Sequence, residues 1–140
     1  PFPAAKSLNY QTGIVALQKA KKEKAIEAVF VGPTGEIYEG TTSNFFAVIN
    51  RKLITPKDNI LFGITRNIVI DVAKKEGITV VERSLNISEI PLFDEAFITA
   101  SNKEIMPVVK MDREWVLGGK VGTITRTLIH SYKSLVSSID

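Results

Sequence analysis

The sequence predicts an α+β domain, and three observations support this class. Short stretches rich in aromatic and β-branched residues alternate with turns that contain glycine or proline, as in strand meanders. Three longer segments instead repeat apolar residues at helical spacing. The chain has 140 residues, 44% of them hydrophobic, so it can bury one core but has little room for a second. We therefore expect residues 1–140 to form a single domain.

The helical segments differ in how clearly their ends are marked. They cover residues 8–24, 62–78 and 123–139. The first has a charged polar face. The second opens beside Gly63 and ends at Gly77, a pattern typical of helix boundaries. The third repeats Leu128, Tyr132 and Leu135 on one side, which predicts an amphipathic helix.

Strand segments fill the intervals between these helices. They are residues 27–32, 36–40, 44–49, 50–56, 79–85 and 95–100, followed by a hairpin at residues 106–117 that turns at residues 112–114. Residues 88–94 predict a short helical turn between two of the strands. No internal repeat interrupts this order.

Composition limits the partners and the location of the protein. The net charge of +3 comes largely from the block of lysines at residues 19–24, with no interleaved aromatic residues, so we do not expect nucleic-acid binding. No apolar run is long enough for a membrane span, and we expect a soluble protein without membrane contact. The absence of cysteine agrees with a reducing compartment, so the cytoplasm is the expected location.

Four polar features could carry chemistry, and each also has a plain structural interpretation. Lys6 lies beside two alanines and is either a solvated lysine or an amine suited to covalent bonding with an aldehyde. Glu39 is an acid within a predicted strand, and its plain interpretation is a surface carboxylate on an exposed strand face. Residues 63–66 form either an ordinary helix start or an anion site. Residues 99–104 form either a simple turn or one that binds oxygen atoms.

The remaining titratable residues offer weaker candidates. His130 lies at the rim of the last helix and has no partners at catalytic or metal-ligand spacing. Asp94 and Glu95 are adjacent, so in an extended chain they would point to opposite sides and not form an acid and base pair. With no cluster of histidine, cysteine or carboxylates, we predict no metal site.

Taken in order, four motifs resemble the class IV pyridoxal-phosphate enzymes. They are "AAKSLNY", "EGTTSNFF", "GITR" before a helix, and "FITASNKEIMPV". This family includes branched-chain aminotransferases, D-amino acid aminotransferases and 4-amino-4-deoxychorismate lyase. The resemblance covers essentially the whole chain and implies the large, C-terminal domain of these enzymes, a curled sheet resembling a partial barrel flanked by helices.

The resemblance also implies roles for three residues around a pyridoxal 5'-phosphate cofactor. Lys6 matches the family's lysine, which binds the cofactor aldehyde and then moves the substrate proton. Glu39 matches the acid that pairs with the pyridine nitrogen and keeps it protonated. Tyr10 matches a tyrosine that lies near the cofactor's 3'-oxygen in branched-chain members.

Four further residues are implied as parts of the cofactor site. Ile64 and Thr65, together with Ser101, match positions whose amides and hydroxyls hold the phosphate. Ser101 with Asn102 also matches the turn beside the substrate carboxylate.

The implied reaction is transamination between an amino acid and a 2-oxo acid. The alternatives are a lyase that eliminates pyruvate with the same cofactor, and a domain that kept the fold without catalysis. Members of the family carry a smaller N-terminal domain with a phosphate-binding arginine, which we expect to be absent from this chain, so the isolated domain is expected to be inactive or impaired. Homodimers are usual in the family.

Overall fold

The computed structural model describes most of the chain after the first strand. The described residues are 5–9, 27–32, 34–40, 43–57, 60, 63–100, 104–111 and 114–139. Strands dominate the first two thirds of this part, and two helices pack against them.

The bounds of the elements are as follows. The strands are β1 (Ala5–Asn9), β2 (Glu27–Val31), β3 (Glu36–Gly40), β4 (Asn44–Ile49), β5 (Lys52–Thr55), β6 (Val80–Glu82), β7 (Leu85–Asn86), β8 (Glu95–Ala100), β9 (Glu104–Pro107), β10 (Lys110–Met111) and β11 (Glu114–Trp115). The helices are α1 (Ile64–Lys75) and α2 (Thr123–Ile139), and short 3₁₀ helices cover Ile87–Leu92 and Leu117–Gly119.

Nine of the described strands form one mixed sheet. Its order is β1-β2-β3-β4-β5-β6, while β7 pairs with β3, and β8 pairs with β4 and β9. The β1–β2 and β5–β6 pairs are parallel, and the other pairs of this sheet are antiparallel. The sheet curls into a half-barrel with helices on one face, so the predicted α+β class with a curled sheet is confirmed.

The two faces of the sheet bury separate apolar clusters. Strand β4 shows the division, because Phe45 and Ala47 belong to one cluster while Phe46 and Val48 belong to the other. The second cluster contains the apolar stripes of α1 and α2 and includes a stacked pair of rings, Phe46 and Phe97, whose centroids are 4.8 Å apart. The side of β4 that carries Phe46 is therefore the helix side of the sheet.

Local patterning predicts both described helices well. Helix α1 begins after Gly63 and is followed by Gly77, which has φ +80°, a conformation that glycine adopts at little cost. Helix α2 covers the predicted residues 123–139, with Leu128 and Tyr132 buried against the sheet. The short helical turn predicted at residues 88–94 is also present as a 3₁₀ helix.

The predicted first helix is wrong at its start. Residues 8 and 9 lie in β1, and residues 10–24 of that prediction fall outside the described residues. Strand β1 pairs in parallel with β2, with Leu8 opposite Val29. Pairing with a strand so distant in sequence overrides the local helical spacing. A pattern confined to one segment cannot reveal such a partner.

Two further strand predictions need correction. Residues 79–85 form two strands, because β6 pairs with β5 whereas β7 pairs with β3. The chain changes partner at Arg83, whose side chain donates to the Ser84 carbonyl oxygen at 2.7 Å. In the second case, β9 pairs with β8 over Glu104–Pro107, so the predicted hairpin at 106–117 is confined to the two-residue strands β10 and β11.

Asp94 and Glu95 serve different parts of the fold, as their adjacency predicts. The Asp94 carboxylate accepts a hydrogen bond from the Asn50 amide at 2.9 Å. Glu95 is buried and accepts from the amides of Ile124 and Thr125 at 3.1 and 2.7 Å. Glu95 thus caps the first turn of α2 from a neighbouring strand. The helix dipole favours a negative charge at this end of the helix.

Acid should weaken the fold through Glu89 in the first 3₁₀ helix. Its carboxylate accepts hydrogen bonds from the Arg83 side chain at 2.9 Å and from the Asn86 amide at 3.0 Å. The hydrogen bond from Arg83 is the main reason why the pKa of Glu89 lies below its usual value, and partial burial opposes it. Because the folded-state pKa is the lower one, this contribution is complete above the unfolded-state pKa of about 4.3 and is lost as the pH falls through the folded value.

The variant Glu89→Gln should therefore lose less stability on acidification than the wild type does. Urea unfolding at a series of pH values between about 6 and 3 would measure the difference. An unchanged slope of unfolding free energy against pH in the variant would show that Glu89 carries no such linkage.

Neither described helix is long and apolar enough to cross a membrane.

Candidate functional site

Three polar residues form a row across the ends of neighbouring strands. In the sheet register, Asn44 of β4 lies opposite Glu39 of β3 on one side and opposite Thr99 of β8 on the other. Directly opposed residues share a face of the sheet, with Cβ atoms about 5 Å apart. Since Thr99 follows Phe97 by two residues, this row lies on the helix side of the sheet.

A bulge in β3 gives Glu39 its place in the row. Val29 and Val31 of β2 pack in the same cluster, yet they pair with Gly40 and Ile37, which are three residues apart. The extra residue in β3 reverses the alternation between Ile37 and Gly40. Glu39 consequently shares the face of Asn44 instead of facing the opposite cluster, and its side chain is partly exposed.

The first turn of α1 adjoins this row. A Cβ atom added to Gly63 would lie 2.8 Å from Asn44 Oδ1, so a side chain at this position would require Asn44 to move. Thr65 is buried, whereas Ile64 is 80% exposed, so only the backbone of Ile64 is held in the structure. The N-cap residue Gly63 has no side chain to cap this turn, and the turn contains no acidic residue. Such a turn suits an anion, because its amide N–H groups point outward and the helix dipole is positive there.

Two buried hydroxyls near the row have no hydrogen-bond partner among the described residues. They are Thr99 Oγ1 and Ser43 Oγ, on residues that are 1% and 6% exposed. An unpaired buried hydroxyl costs on the order of 1–3 kcal/mol, so it usually has a ligand, water or catalytic explanation. Thr99 lies on the same face as Asn44, the residue beside Gly63, so its unpaired hydroxyl is a candidate donor to a ligand at this end of the sheet.

Lys6 lies in β1, two strands from Glu39. Ala5 pairs with Glu27 and Ser7 with Ala28, so Lys6 is the extra residue of a bulge. Strands β1 and β3 flank β2, which places them about 10 Å apart at the usual strand spacing. Bulges occur often beside active sites, because they redirect a side chain without ending the strand.

The structure thus brings some of the predicted site residues together and leaves others aside. Glu39 and the Ile64–Thr65 turn flank Asn44 from two directions, and Lys6 is on the same sheet. Tyr10, Ser101 and Asn102 lie outside the described residues. The last two directly follow β8, the strand that carries Thr99.

Sequence reasoning missed Asn44 and Thr99 as members of the site. Asn44 is the first residue of an apolar strand and Thr99 is near the end of another, so both match ordinary strand ends. A buried polar residue in an otherwise apolar strand is the one signal that could have identified them.

The donors and acceptors present fit a phosphate-bearing ring compound. The first turn of α1 and the buried hydroxyls offer hydrogen-bond donors to an anion. Glu39 offers a carboxylate to a protonated ring nitrogen on the same side of the sheet. A phosphate ester and a basic ring nitrogen are two of the groups that pyridoxal phosphate presents.

Comparison with known proteins agrees with this arrangement. The family model described as amino-transferase class IV matches residues 1–111. The chain is 41% identical over 130 residues to a D-alanine aminotransferase of Listeria innocua and 33% identical over 129 residues to a branched-chain-amino-acid aminotransferase of Pseudomonas aeruginosa. It covers 44% and 42% of those two proteins, and each alignment covers 91% of the chain.

A solved structure of a related enzyme has the same fold as this chain. The branched-chain amino acid aminotransferase of Thermobaculum terrenum, solved in its pyridoxal-phosphate form, superposes with a TM-score of 0.86 at 37% identity. The match covers 94% of this chain and 44% of that one. The chain therefore spans less than half the length of these relatives. The family match over most of its residues shows that the chain belongs to the class IV aminotransferases.

Proposed function

We propose that this protein catalyses pyridoxal-phosphate-dependent transamination between an amino acid and a 2-oxo acid. One observation carries the proposal: Glu39, Asn44 and Thr99 form a row on one face of the sheet, directly beside the first turn of α1. Membership of the class IV aminotransferases supports the same reaction. A carboxylate and an anion site on one face are what this cofactor requires of a protein.

When bound, pyridoxal phosphate supplies an aldehyde that combines with amines and a ring that accepts electrons from the substrate's α carbon. The Lys6 amine would hold the cofactor through its aldehyde, and when released it would be placed to take and return the proton of the substrate's α carbon. Glu39 accepts a hydrogen bond from the ring nitrogen and keeps the proton on that nitrogen. This charge pair increases the capacity of the ring to accept electrons.

The phosphate is held by the first turn of α1. Its donors are the backbone amides of Ile64 and Thr65 and the Thr65 hydroxyl, and Ser101 adds a further hydroxyl. From the family resemblance, Tyr10 would serve the cofactor's 3'-oxygen, and Asn102 would serve the substrate carboxylate. The close contact of Gly63 with Asn44 keeps this turn against the strand that neighbours Glu39.

The proposed substrates are small amino acids and their 2-oxo acids. Relatives named for branched-chain amino acids and for D-alanine support this class and leave the configuration open. A further domain of the same protein and a second subunit complete the pocket, in agreement with the greater length of the relatives. The 80% exposed Ile64 side chain beside the site offers an apolar contact for either one.

The reaction is tested on the full-length protein, in which the further domain and the second subunit complete the pocket, by measuring 2-oxo acid release from L-leucine, L-alanine and D-alanine after loading with pyridoxal phosphate. Without an acceptor, one equivalent per cofactor should form, because the amino group stays on the enzyme. With an added 2-oxo acid, many turnovers should follow. Absence of both phases with every donor would contradict transamination. The two alanine enantiomers serve as matched controls for each other.

Replacing Thr99 with valine should separate stability from cofactor binding. Valine has the same shape but lacks the hydroxyl that has no partner among the described residues. The unliganded variant should be more stable than the wild type by about 1 kcal/mol, since the cost of the unpaired hydroxyl disappears. Its affinity for pyridoxal phosphate should fall by a similar amount.

Urea unfolding without ligand and equilibrium titration with pyridoxal phosphate measure the two effects. Thr127→Val, an exposed threonine on α2, is the matched control. A destabilised Thr99→Val variant with unchanged affinity would remove Thr99 from the proposed site.

A further inference from the structure

Arg66 is a buried cation in a place where a helix favours negative charge. It is the third residue of α1 and is 2% exposed. The N-terminal end of a helix carries a partial positive charge, so a cation in the first turn opposes helix stability. Burying a guanidinium adds a desolvation cost. Helix stability alone therefore does not explain Arg66.

The contacts of Arg66 tie the first turn of α1 to two strands. Its Nη2 donates to the Pro56 carbonyl oxygen at 3.1 Å and to Glu82 Oε1 at 2.8 Å. Pro56 directly follows β5, and Glu82 ends β6. Its Nη1 also donates to Asn67 Oδ1 at 3.3 Å, within the same helix. One side chain thus joins the helix start to the ends of two paired strands.

These contacts continue to the strand that carries Asn44. Thr55, the residue before Pro56, is fully buried and donates its hydroxyl to the Phe45 carbonyl oxygen at 2.7 Å. Phe45 directly follows Asn44, whose side chain touches Gly63. The first turn of α1 is therefore fixed at two points. Gly63 contacts Asn44 of β4, and Arg66 bonds to Pro56 and Glu82 at the ends of β5 and β6. Fixing both points holds the direction of its amide N–H groups.

We infer that Arg66 is a positioning residue for the cofactor phosphate. It holds the Ile64 and Thr65 amides toward the phosphate through the contacts with Pro56 and Glu82. The inference rests on the proposed function, because it assumes that the phosphate binds at α1. Arg66 itself does not contact the cofactor in this arrangement.

Comparison of pyridoxal phosphate with pyridoxal isolates this role, because the two ligands differ only in the phosphate. In Arg66→Gln, the Kd for pyridoxal phosphate should rise roughly ten- to a hundredfold, whereas the Kd for pyridoxal should change little. Arg66→Lys keeps the charge but loses the planar fork, so it should restore part of the affinity. The ³¹P resonance of the bound phosphate should shift in both variants.

A matched control and a second variant keep the test decisive. Arg83→Gln removes an arginine from another pair, Arg83 with Glu89 at 2.9 Å, and should leave both Kd values unchanged. Glu82→Gln keeps Arg66 and weakens one of its contacts, so it should reduce phosphate-dependent affinity even if Arg66→Gln fails to fold.

The outcomes distinguish this inference from the proposed function. Equal weakening of both ligands in Glu82→Gln and Arg66→Lys, or no weakening of either, would overturn the role of Arg66. A wild-type protein that binds neither ligand would instead overturn the proposed function. Selective loss of the phosphorylated ligand supports both.

Discussion

Replacing Lys6 with alanine should abolish covalent capture of pyridoxal phosphate. Lys6 is the extra residue of the bulge in β1, two strands from Glu39, and is the amine proposed to hold the cofactor aldehyde. Alanine offers no amine, and no rearrangement of neighbouring side chains would replace it. The measurement is reduction with borohydride after addition of pyridoxal phosphate, followed by mass-spectrometric mapping of the modified lysine. The wild type should be modified at Lys6, and the variant should show no specific adduct.

A matched lysine variant separates a specific adduct from general amine chemistry. Lys52 is exposed at the start of β5, so Lys52→Ala should leave the labelling at Lys6 unchanged. Substoichiometric labelling spread over the lysines of residues 19–24, equal in wild type and Lys6→Ala, would instead indicate ordinary surface reactivity. That result would contradict the assignment of Lys6 as the amine that holds the cofactor aldehyde.

Local patterns predict those elements whose burial depends on one neighbouring surface. Helices α1 and α2 each bury one stripe, and strand β8 has an apolar centre, Ala96 to Ile98, because both of its faces are covered. In these segments, the spacing of the apolar residues itself indicates which face is buried. The end of α1 can also be predicted locally, since Gly77 adopts the positive φ that follows the helix at little cost.

The errors arise where a distant partner decides the conformation. Residues 8 and 9 join β1 because β2 offers a parallel partner, and residues 79–85 divide because β6 and β7 have different partners. Neither partner can be identified from spacing within the segment. The curl of the sheet depends on such pairings and on bulges, so here it followed from the family resemblance and not from periodicity.

Some residues of the candidate site could be predicted from the sequence, and others could be identified only in the folded chain. Glu39 and Thr65 were predicted because their motifs resemble a family, but the motifs do not reveal what links them. Asn44 supplies that link through register with Glu39 and contact with Gly63. Arg66 was part of a predicted motif, yet its contacts with distant strands appear only in the folded chain. Register and burial, which are tertiary properties, thus complete the site.

Glu39→Gln should slow amino-group transfer roughly a hundredfold or more, the scale of a lost proton-transfer or charge-stabilising contribution. Glutamine is nearly the same size but cannot hold a proton on the ring nitrogen by opposite charge. The affinity for pyridoxal phosphate should change little, because the phosphate and Lys6 still hold the cofactor. The measurement is the single-turnover rate of 2-oxo acid formation, together with the cofactor Kd.

Glu36→Gln provides the control, since Glu36 lies in the same strand and its replacement makes the same change of charge. It should leave the rate unchanged. If Glu39 acts by supporting removal of the α proton, an α-deuterated substrate should show a larger isotope effect in Glu39→Gln than in the wild type, because that step then limits the rate. A slower variant with an unchanged isotope effect would place the loss in another step and reject the ring-nitrogen role. Equal rates for Glu39→Gln and wild type would reject it as well, since a carboxylate opposite Asn44 would then serve only the sheet.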